Sequence, residues 1–270
     1  MSRVLIVFGM HRSGTSITTR WLNACGLDVG QSLLGPQNSN KRGHYEDMDF
    51  YEFHESVFRD LNIPFGGFEE LDKVQLNDEH RIMMLEIVGE KSRQSKQWAW
   101  KDPRTCLFID EYLKVIPNAC LLVLSRDYNE IINSLINREI GHIKEDIIRD
   151  AKWGRLSFLS YELKEGRAEK RRLGELFARA CIHYYKIILE TTEKHPADRW
   201  FGIKLGELPE MQDRVLQFLG EAGFELEKKD FRQYYETSLM SANTNCPFIP
   251  SHLKRELDEL QTELNARCSH

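Results

Sequence analysis

The ten residues VFGMHRSGTS, positions 7–16, decide the fold. They run from an apolar, strand-like segment through a short loop bounded by Gly9 and Gly14 into a segment with helical periodicity. Glycine lets a backbone approach an oxyanion closely, and free N–H groups at a helix start meet the positive end of the helix dipole. The stretch therefore predicts a P-loop-like phosphate-binding loop. The alternative is a glycine turn that only joins a strand to a helix.

Short apolar runs, each bounded by turn residues and followed by a helix-period segment, recur along the chain. They lie at 4–8, 97–100, 120–124 and 200–205. The helices that follow are expected to begin near Gly14, Pro103, Asp127 and Pro209, with Asp102 and Asp127 as candidate N-caps. Strands that alternate with helices are typical of βα units. We therefore predict an α/β fold, a three-layer sandwich with a mostly parallel central sheet.

The remaining sequence predicts a helical region beside this sheet. Residues 144–197 are charged and helical in pattern, with an interruption near 164–166, and we expect acceptor contacts there. The basic cluster at 170–172 either meets an acidic acceptor or forms a solvated helix junction among neighbouring glutamates. The residues after Pro250 predict a final amphipathic helix. Because α/β folds of this length often form one unit, we read residues 1–270 as a single domain.

Composition and charge exclude several classes of function. Apolar residues form 41% and charged residues 29% of the chain, which argues against a disordered or fibrous protein. A formal net charge of −5 gives no global field that would gather nucleic acid or anionic lipid. No secretion signal precedes the first apolar run, and no run approaches the ~20 apolar residues of a membrane span. We expect a cytoplasmic protein that holds any anionic ligand in a local site.

The cysteines point to neither a metal site nor a disulfide framework. All six lie far apart, without CxxC spacing and without neighbouring histidine pairs. Structural zinc sites and disulfide-rich folds show such spacing. We therefore expect free thiols in a reducing compartment and no metal ligands.

The cation in the phosphate loop stands in an unusual place. A nucleotidase loop of this spacing has lysine after the second glycine, where it holds the terminal phosphates, and this chain has Thr15 there. Arg12, earlier in the loop, would reach a shorter 5′ group. The loop therefore favours a ligand other than a nucleoside triphosphate.

A second element for binding an anion follows the third predicted strand. Residues 122–127, LVLSRD, place Arg126 at the end of a buried run, and Ser134 lies eight residues later on the next predicted helix. A guanidinium at a strand end makes charge-assisted bonds to phosphate, while a hydroxyl two turns into the helix closes the other side. Arg126 alone would be typical of a surface ion pair, but Arg126, Ser134 and the first loop together are a much more specific signal.

The two elements resemble the cofactor site of sulfotransferases that use 3′-phosphoadenosine 5′-phosphosulfate (PAPS). That family has a lysine or arginine two residues before the loop glycine, where Arg12 stands here. The resemblance implies that Arg12 contacts the 5′-phosphate and stabilises charge on the departing product, 3′-phosphoadenosine 5′-phosphate (PAP). It also implies that Arg126 and Ser134 bind the 3′-phosphate. The other expected cofactor contacts in the loop are His11, Ser13, Gly14, Thr15 and Ser16.

The resemblance covers most of the chain and has one departure. Residues 201–205 and 215–220 are similar to the family's last strand and the helix after it. The glycine-rich Arg-Lys-Gly segment that cytosolic sulfotransferases lay over the 3′-phosphate is not recognisable. This difference points to the bacterial-type or carbohydrate-type branch of the family.

Transfer to an acceptor oxygen needs a base, because a hydroxyl is a poor nucleophile until its proton is removed. The segment GHYED, residues 43–47, offers His44, Glu46 and Asp47, and it resembles a Gly-x-x-Glu-Asp/Asn element of related sulfotransferases. The resemblance makes Glu46 the preferred base. Asp47 is alternatively the cap of a helix over 48–59, and His44 a loop residue without a chemical role.

The end of the second predicted strand adds further charged residues. Residues 100–104, WKDPR, also recur in the family, and open α/β sheets bind ligands at the carboxyl ends of strands. Lys101 is therefore expected to neutralise the sulfuryl oxygens, and Arg104 to orient the loop or the acceptor. The alternative is that both cations pair with Asp102 and nearby acids as scaffolding. We expect Trp98 and Trp100 to be core residues.

Together these features predict a sulfotransferase that moves a sulfuryl group from PAPS to an acceptor hydroxyl or amine by in-line displacement without a metal ion. Arg12, Glu46 and Lys101 are the predicted catalytic residues. The acceptor is a small molecule, carbohydrate, lipid or peptide, and the sequence specifies neither which one nor the oligomeric state. The alternatives are a P-loop kinase that uses ATP and magnesium, and a non-catalytic PAP-binding protein.

Overall fold

A parallel sheet forms the centre of the fold. The computed structural model describes residues 2–35, 43–64, 66–69, 73–150, 154–235 and 245–268. Within these ranges the strands are β1 (Arg3–Phe8), β2 (Gln97–Lys101), β3 (Cys120–Ser125) and β4 (Trp200–Lys204). Their order in the sheet is β2-β1-β3-β4, and each neighbouring pair is parallel. The predicted strands are confirmed, with every end within one residue of its predicted place.

Helices cover the sheet on both faces. They are α1 (Thr15–Ala24), α2 (Met48–Asp60), α3 (Asp78–Gln94), α4 (Thr105–Val115), α5 (Tyr128–Asp150), α6 (Gly154–Tyr161), α7 (Arg167–Lys194), α8 (Leu208–Glu221) and α9 (Ser251–Arg267). A π-helical turn, Glu162–Gly166, joins α6 to α7. The structure confirms helical sequence over the described part of 144–197, the interruption near 164–166 and the final helix after Pro250.

Alternation along the strands divides the core into two layers. Val4, Ile6 and Phe8 of β1 pack in one buried cluster with side chains of α2, α3, α4, α5, α7 and α9. Leu5 and Val7 point the other way and pack with side chains of α1 and α8. Successive strand residues face opposite sides of a sheet, so each run is apolar throughout because both faces are covered. The predicted three-layer α/β fold is confirmed.

The predicted core tryptophans and cysteines lie in these layers. Trp98 and Trp100 on β2 are buried and stack with Phe50 of α2 at ring-centre distances of 6.0 and 4.5 Å. All six cysteines are buried free thiols, as expected. Among the described residues, no helix combines the length and the apolar character needed to cross a membrane.

The two predicted aspartate caps have different outcomes. Asp127 Oδ1 accepts a hydrogen bond from the N–H of Asn129 at 2.8 Å, so Asp127 caps the start of α5. The prediction for Asp102 is wrong: α4 begins at Thr105, and Arg104 is its N-cap residue. The Asp102 carboxylate instead accepts from the N–H and the side chain of Arg104. The N–H that Asp102 binds therefore belongs to the residue before the helix, whereas the N–H that Asp127 binds belongs to the first turn of α5.

Candidate active site

The candidate site lies at the carboxyl end of the sheet, between β1 and β3. The chain goes from β1 to β2 on one side and then to β3 on the other side of β1, so the direction of strand addition reverses here. Open α/β sheets bind ligands in the crevice that such a reversal creates. The predicted phosphate loop follows β1, and Arg126 follows β3. The topology therefore brings both predicted anion-binding elements to one crevice.

The loop between β1 and α1 leaves the start of the helix open. Gly14 has φ +96°, and a Cβ there would lie 2.4 Å from the Leu205 side chain, so glycine is required for two reasons. Arg12 also has a positive φ, 66°, which is uncommon outside glycine. α1 begins at Thr15, and Gly14 provides no capping side chain. The N–H groups of the first turn are therefore suited to an anion.

Arg12, Arg126 and Ser134 meet in the crevice. Arg12 Nε donates to Ser134 Oγ at 2.9 Å, and Arg126 Nη1 donates to the Arg12 carbonyl oxygen at 3.0 Å. Glu130, on the first turn of α5, pairs with Arg126 Nε at 2.6 Å. Burial, together with repulsion from Arg138 and Arg126, lowers the pKa of Arg12 to about 10. A ligand with negative charge would relieve this repulsion.

Arg12 and Arg126 line a cavity of about 180 Å³, the first cavity, and Ser134 contacts Arg12 without lining this cavity. Its lining includes the predicted residues Arg12, Gly14, Thr15, Ser16, Lys101 and Arg126, and also Ile17, Arg20, Leu205, Tyr234 and Tyr235. The Arg20 guanidinium lies 5.4 Å from the centre of the Tyr234 ring. Sequence reasoning missed this aromatic part of the wall. Tyr234 follows a short 3-10 turn far along the chain from both phosphate elements, and no local pattern marks it.

Of the two remaining loop residues, Ser13 lies outside the lining of the first cavity and His11 lies within it. Ser13 is fully buried: its N–H donates to the Met10 carbonyl at 3.1 Å, and its hydroxyl has no hydrogen-bond partner among the described residues. His11 lines the first cavity, and its ring lies 4.7 Å from that of Phe68. Burial, with the charge of Arg138, holds the pKa of His11 well below its ordinary value, so the ring is neutral at pH 7. Cofactor contact by these two residues stays a prediction.

A buried ion pair joins the end of β2 to the segment before α2. Lys101 Nζ lies 2.9 Å from Glu46 Oε1 and donates to Ser16 Oγ at 3.1 Å. The Lys101 side chain is 1% exposed and that of Glu46 is 11% exposed. Burial raises the pKa of Glu46, and the charge of Lys101 opposes that shift. The structure thus brings the predicted base and the predicted sulfuryl-binding cation together beside the phosphate loop.

Hydrogen bonds fix the segment that carries Glu46. The N–H of Leu34 donates to the Glu46 carbonyl oxygen at 2.7 Å. Asp47 caps α2, because its Oδ1 accepts from the N–H of Asp49 at 3.0 Å, and its Oδ2 pairs with Lys91 at 2.6 Å. Of the two interpretations of Asp47, the structure confirms the helix cap. Both carboxylate oxygens are engaged, which leaves Asp47 poorly suited to accept an acceptor's proton.

His44 stands close to the same chemistry. It is partly buried and lines the first cavity. Burial, followed by the charges of Lys101 and Arg12, lowers the pKa of His44 to about 4. The imidazole is therefore neutral at pH 7 and keeps one ring nitrogen that accepts a proton. His44 thus stays an alternative to Glu46 as the base.

Asp102, the residue after β2, is the centre of a separate buried network. Its Oδ2 accepts from Arg104 Nη2 at 2.7 Å and lies 2.9 Å from His54 Nδ1. His54 Nε2 in turn lies 2.9 Å from the Tyr112 hydroxyl. Burial works against ionisation, yet the charge of Arg104 and the hydrogen bond with His54 hold the pKa of Asp102 well below its usual value. For Arg104, the structure confirms pairing with Asp102 as scaffolding.

A second cavity of about 410 Å³ adjoins the first. The two share His11, His44, Glu46 and Arg138 in their linings. Other parts of its wall come from α5 and α7, including His142, Arg172, Leu173, Leu176 and Phe177. The predicted base therefore lies at the junction, with the predicted phosphate-binding groups on one side and an open cavity on the other. A general base must contact the acceptor hydroxyl while the sulfuryl donor lies beside it, and a residue at this junction can do so.

Solved sulfotransferase structures are similar to the chain over most of its length. STF9 from Mycobacterium avium matches with a TM-score of 0.53 and 16% identity, over 98% of this chain and 76% of that one. The sulfotransferase domain of the Synechococcus PCC 7002 olefin synthase matches with a TM-score of 0.53 and 12% identity, over 98% and 96% of the two chains. The chain has the sulfotransferase fold.

A third sulfotransferase structure, the domain from the curacin biosynthetic pathway, matches with a TM-score of 0.52 and 12% identity, over 96% of this chain and 98% of that one. Neither a family model nor a curated protein sequence matches the chain. The sulfotransferase fold confirms the fold that the resemblance implied. In the described ranges, no group of three or more His, Cys, Asp and Glu side chains is arranged to hold a metal ion.

Proposed function

We propose that the chain transfers a sulfuryl group from PAPS to an acceptor hydroxyl or amine. The observation that carries this proposal is the meeting of Arg12, Arg126 and Ser134 in one crevice, beside the buried pair of Lys101 and Glu46. Cations suited to two phosphates and a carboxylate suited to proton transfer therefore line one cavity. The fold shared with sulfotransferases supports this function.

The crevice fits the two phosphate groups of the donor. Arg12 and the open first turn of α1 would hold the 5′-phosphate, and Arg126 with Ser134 would hold the 3′-phosphate. The lowered pKa of Arg12 reflects burial and neighbouring positive charge, which phosphate would neutralise. Thr15 stands where a kinase loop has lysine, which favours PAPS over ATP.

The residues around Glu46 supply the groups that transfer needs. PAPS provides the sulfuryl group, whose bond to the 5′-phosphate oxygen breaks as the acceptor oxygen bonds to sulfur. Glu46 accepts the acceptor's proton at Oε2, because Lys101 occupies Oε1. Lys101 and Arg12 stabilise negative charge on the transferring group and the departing phosphate. His44 is the alternative proton acceptor.

The second cavity is the proposed acceptor site. It meets the first cavity at Glu46, and its α7 wall belongs to the region 144–197, where acceptor contacts are expected. Its α5 wall, which includes Arg138 and His142, lies just before that region. The proposal extends to a single domain over residues 1–270, a cytoplasmic location and a small-molecule, carbohydrate, lipid or peptide acceptor.

Calorimetric titration with PAP, and with ATP plus magnesium as the comparison, tests the cofactor class. We expect PAP to bind with a Kd on the order of micromolar, since charge-assisted bonds reach both of its phosphates, and ATP to give no response. Binding of ATP without binding of PAP would overturn the proposal in favour of the kinase.

Glu46→Gln tests the base while keeping the size of the side chain. We expect PAP formation from PAPS in the presence of a mixed acceptor panel to fall at least about 100-fold, because general-base catalysis contributes that much. Glu259→Gln on the exposed face of α9 is the matched control and keeps full activity. Unchanged turnover in Glu46→Gln would reject Glu46 as the base and direct attention to His44. A wild-type protein that binds PAP without any turnover would identify a non-catalytic PAP-binding protein.

A further inference from the structure

Arg138 stands where the two cavities meet. It lines both of them, as Glu46 does. On α5 it follows Ser134 by one turn, and residues four apart share a helix face. The helix face on which Ser134 accepts the hydrogen bond from Arg12 therefore continues toward the second cavity. His142, another turn along α5, lines that second cavity.

The ion pair that Arg138 makes within the protein is a weak one. Its Nε and Nη2 both contact a single oxygen of Glu139, each at 2.9 Å. Neighbouring residues on a helix do not face each other, and the Glu139 side chain is 32% exposed. Glu139 can therefore turn to water at small cost. Arg104 in the same cavity differs, because the buried carboxylate of Asp102 binds it through both oxygens.

An aromatic face lies next to this cation. The Arg138 guanidinium is 5.6 Å from the centre of the Phe68 ring, which also lines the second cavity. His11 and His44 contribute neutral imidazoles at the junction, since both have lowered pKa values. Arg138 is therefore a cation at the junction whose protein partner can be exchanged for a ligand.

We propose that the acceptor carries an oxyanion, a carboxylate, phosphate or sulfate group, in addition to its reacting hydroxyl, and that Arg138 binds this oxyanion. The inference rests on the proposed function, because it assigns the second cavity to the acceptor. When the oxyanion of the acceptor takes the place of the Glu139 carboxylate, the Arg138 guanidinium still has one charge-assisted hydrogen-bond partner. Arg138 also lies between the phosphates expected in the first cavity and the acceptor's anion, so it reduces the repulsion between them.

Matched probe pairs test this assignment on protein saturated with PAP. The probes are 4-hydroxyphenylacetate with its neutral amide, and methyl β-glucuronide with methyl β-glucoside, each titrated by calorimetry. We expect at least one anionic probe to bind about 10-fold or more tightly than its neutral partner, as a charge-assisted hydrogen bond provides. Arg138→Gln removes this preference, while the matched control Arg255→Gln, on the exposed face of α9, retains it.

Glu139→Gln gives a second, independent variant. Because it releases Arg138 from its partner, we expect the anionic probe to bind about threefold more tightly than to the wild-type protein. Thermal unfolding of each variant excludes loss of the fold as the cause. If PAP binds but the anionic probes show no preference, or do not bind, the assignment of Arg138 is wrong and the proposed function stands. If PAP does not bind, the proposed function itself fails.

Discussion

Two charged clusters lie at the carboxyl end of the sheet, and they are built in opposite ways. After β2, the carboxylate of Asp102 is surrounded by Arg104 and His54, and the pKa of that carboxyl is held well below its usual value. After β1, Arg12 lies near the cations Arg126 and Arg138, and its own pKa is lowered to about 10. The first cluster pairs the negative charge of Asp102 with the positive charge of Arg104, whereas the second contains more positive than negative charge.

The difference separates a scaffold from a ligand site. A buried charge is costly unless it is paired and hydrogen-bonded. The Asp102 cluster meets that requirement with protein atoms alone. The Arg12 cluster contains Glu130 as a partner for Arg126 but has more positive than negative charge, and under the proposed function phosphate supplies the remainder. Residues of the same chemical type, only one strand apart, can therefore serve the fold in one place and a ligand in the other.

Breaking the scaffold should have the largest effect on stability. Asp102→Asn leaves Arg104 buried without its counter-charge, so we expect the free energy of unfolding to fall by about 3–5 kcal/mol. Urea unfolding followed by circular dichroism measures it. The matched control is Asp78→Asn, which removes an ion pair whose aspartate is 97% exposed and which leaves stability nearly unchanged. An equally small loss in Asp102→Asn would show that the network contributes little to the fold.

Removing a cation from the Arg12 cluster should change ligand affinity strongly and stability little. Arg12→Gln keeps a hydrogen-bonding side chain but relieves the repulsion, so we expect unfolding free energy to change by less than about 1 kcal/mol while PAP affinity falls about 30-fold or more. Calorimetry and urea unfolding on the same preparation give both values. Loss of stability with unchanged PAP affinity would make Arg12 a scaffold residue and erase the contrast between the clusters.

The pH dependence of stability should show a smaller effect, which arises from His54 in the Asp102 cluster. Burial lowers the pKa of His54 below its ordinary value of 6.5, so the unfolded chain binds the proton more readily. The stability contributed by neutral His54 is therefore present above pH 6.5 and is lost as pH falls toward the lowered folded value. His54→Gln should flatten that loss by at most about 1.4 kcal/mol per pH unit. Urea unfolding between pH 7.5 and about 5 measures it, with exposed His252→Gln as the control that keeps the wild-type slope.

Local patterns predicted the strands well, and the two predicted phosphate elements lie in one crevice. An apolar run bounded by turn residues specifies a buried parallel strand because both faces are covered, and that signal lies within the run itself. Arg126 and Ser134 are also close in sequence. Arg126 directly follows the strand and Ser134 lies on the next helix, so their spacing of eight residues could be recognised in the sequence. The structure brings both residues to Arg12, although whether they bind phosphate stays a prediction.

Residues whose role depends on distant partners could not be predicted in the same way. An aspartate before proline is typical of a helix cap, but Asp102 meets His54, which lies 48 positions earlier in the sequence. That contact exists only after α2 packs against the sheet. Tyr234 in the first cavity is equally remote from the phosphate loop in sequence. Arg138 is different: extending the face of Ser134 by one helical turn would have found it.

The helix α5 also fixes how the two cavities relate to each other. Glu130, Ser134, Arg138 and His142 follow at intervals of four residues, from the partner of Arg126 to the wall of the second cavity, and each step turns about 40° around the helix axis. Because a helix rises about 1.5 Å per residue, Glu130 and His142 lie about 18 Å apart along the helix axis. Under the proposed assignment, replacing Arg138 changes which acceptors the second cavity binds and leaves Ser134 in place. Inserting a single residue between them would instead rotate Arg138 by about 100° around the helix axis, which would remove it from the proposed acceptor site.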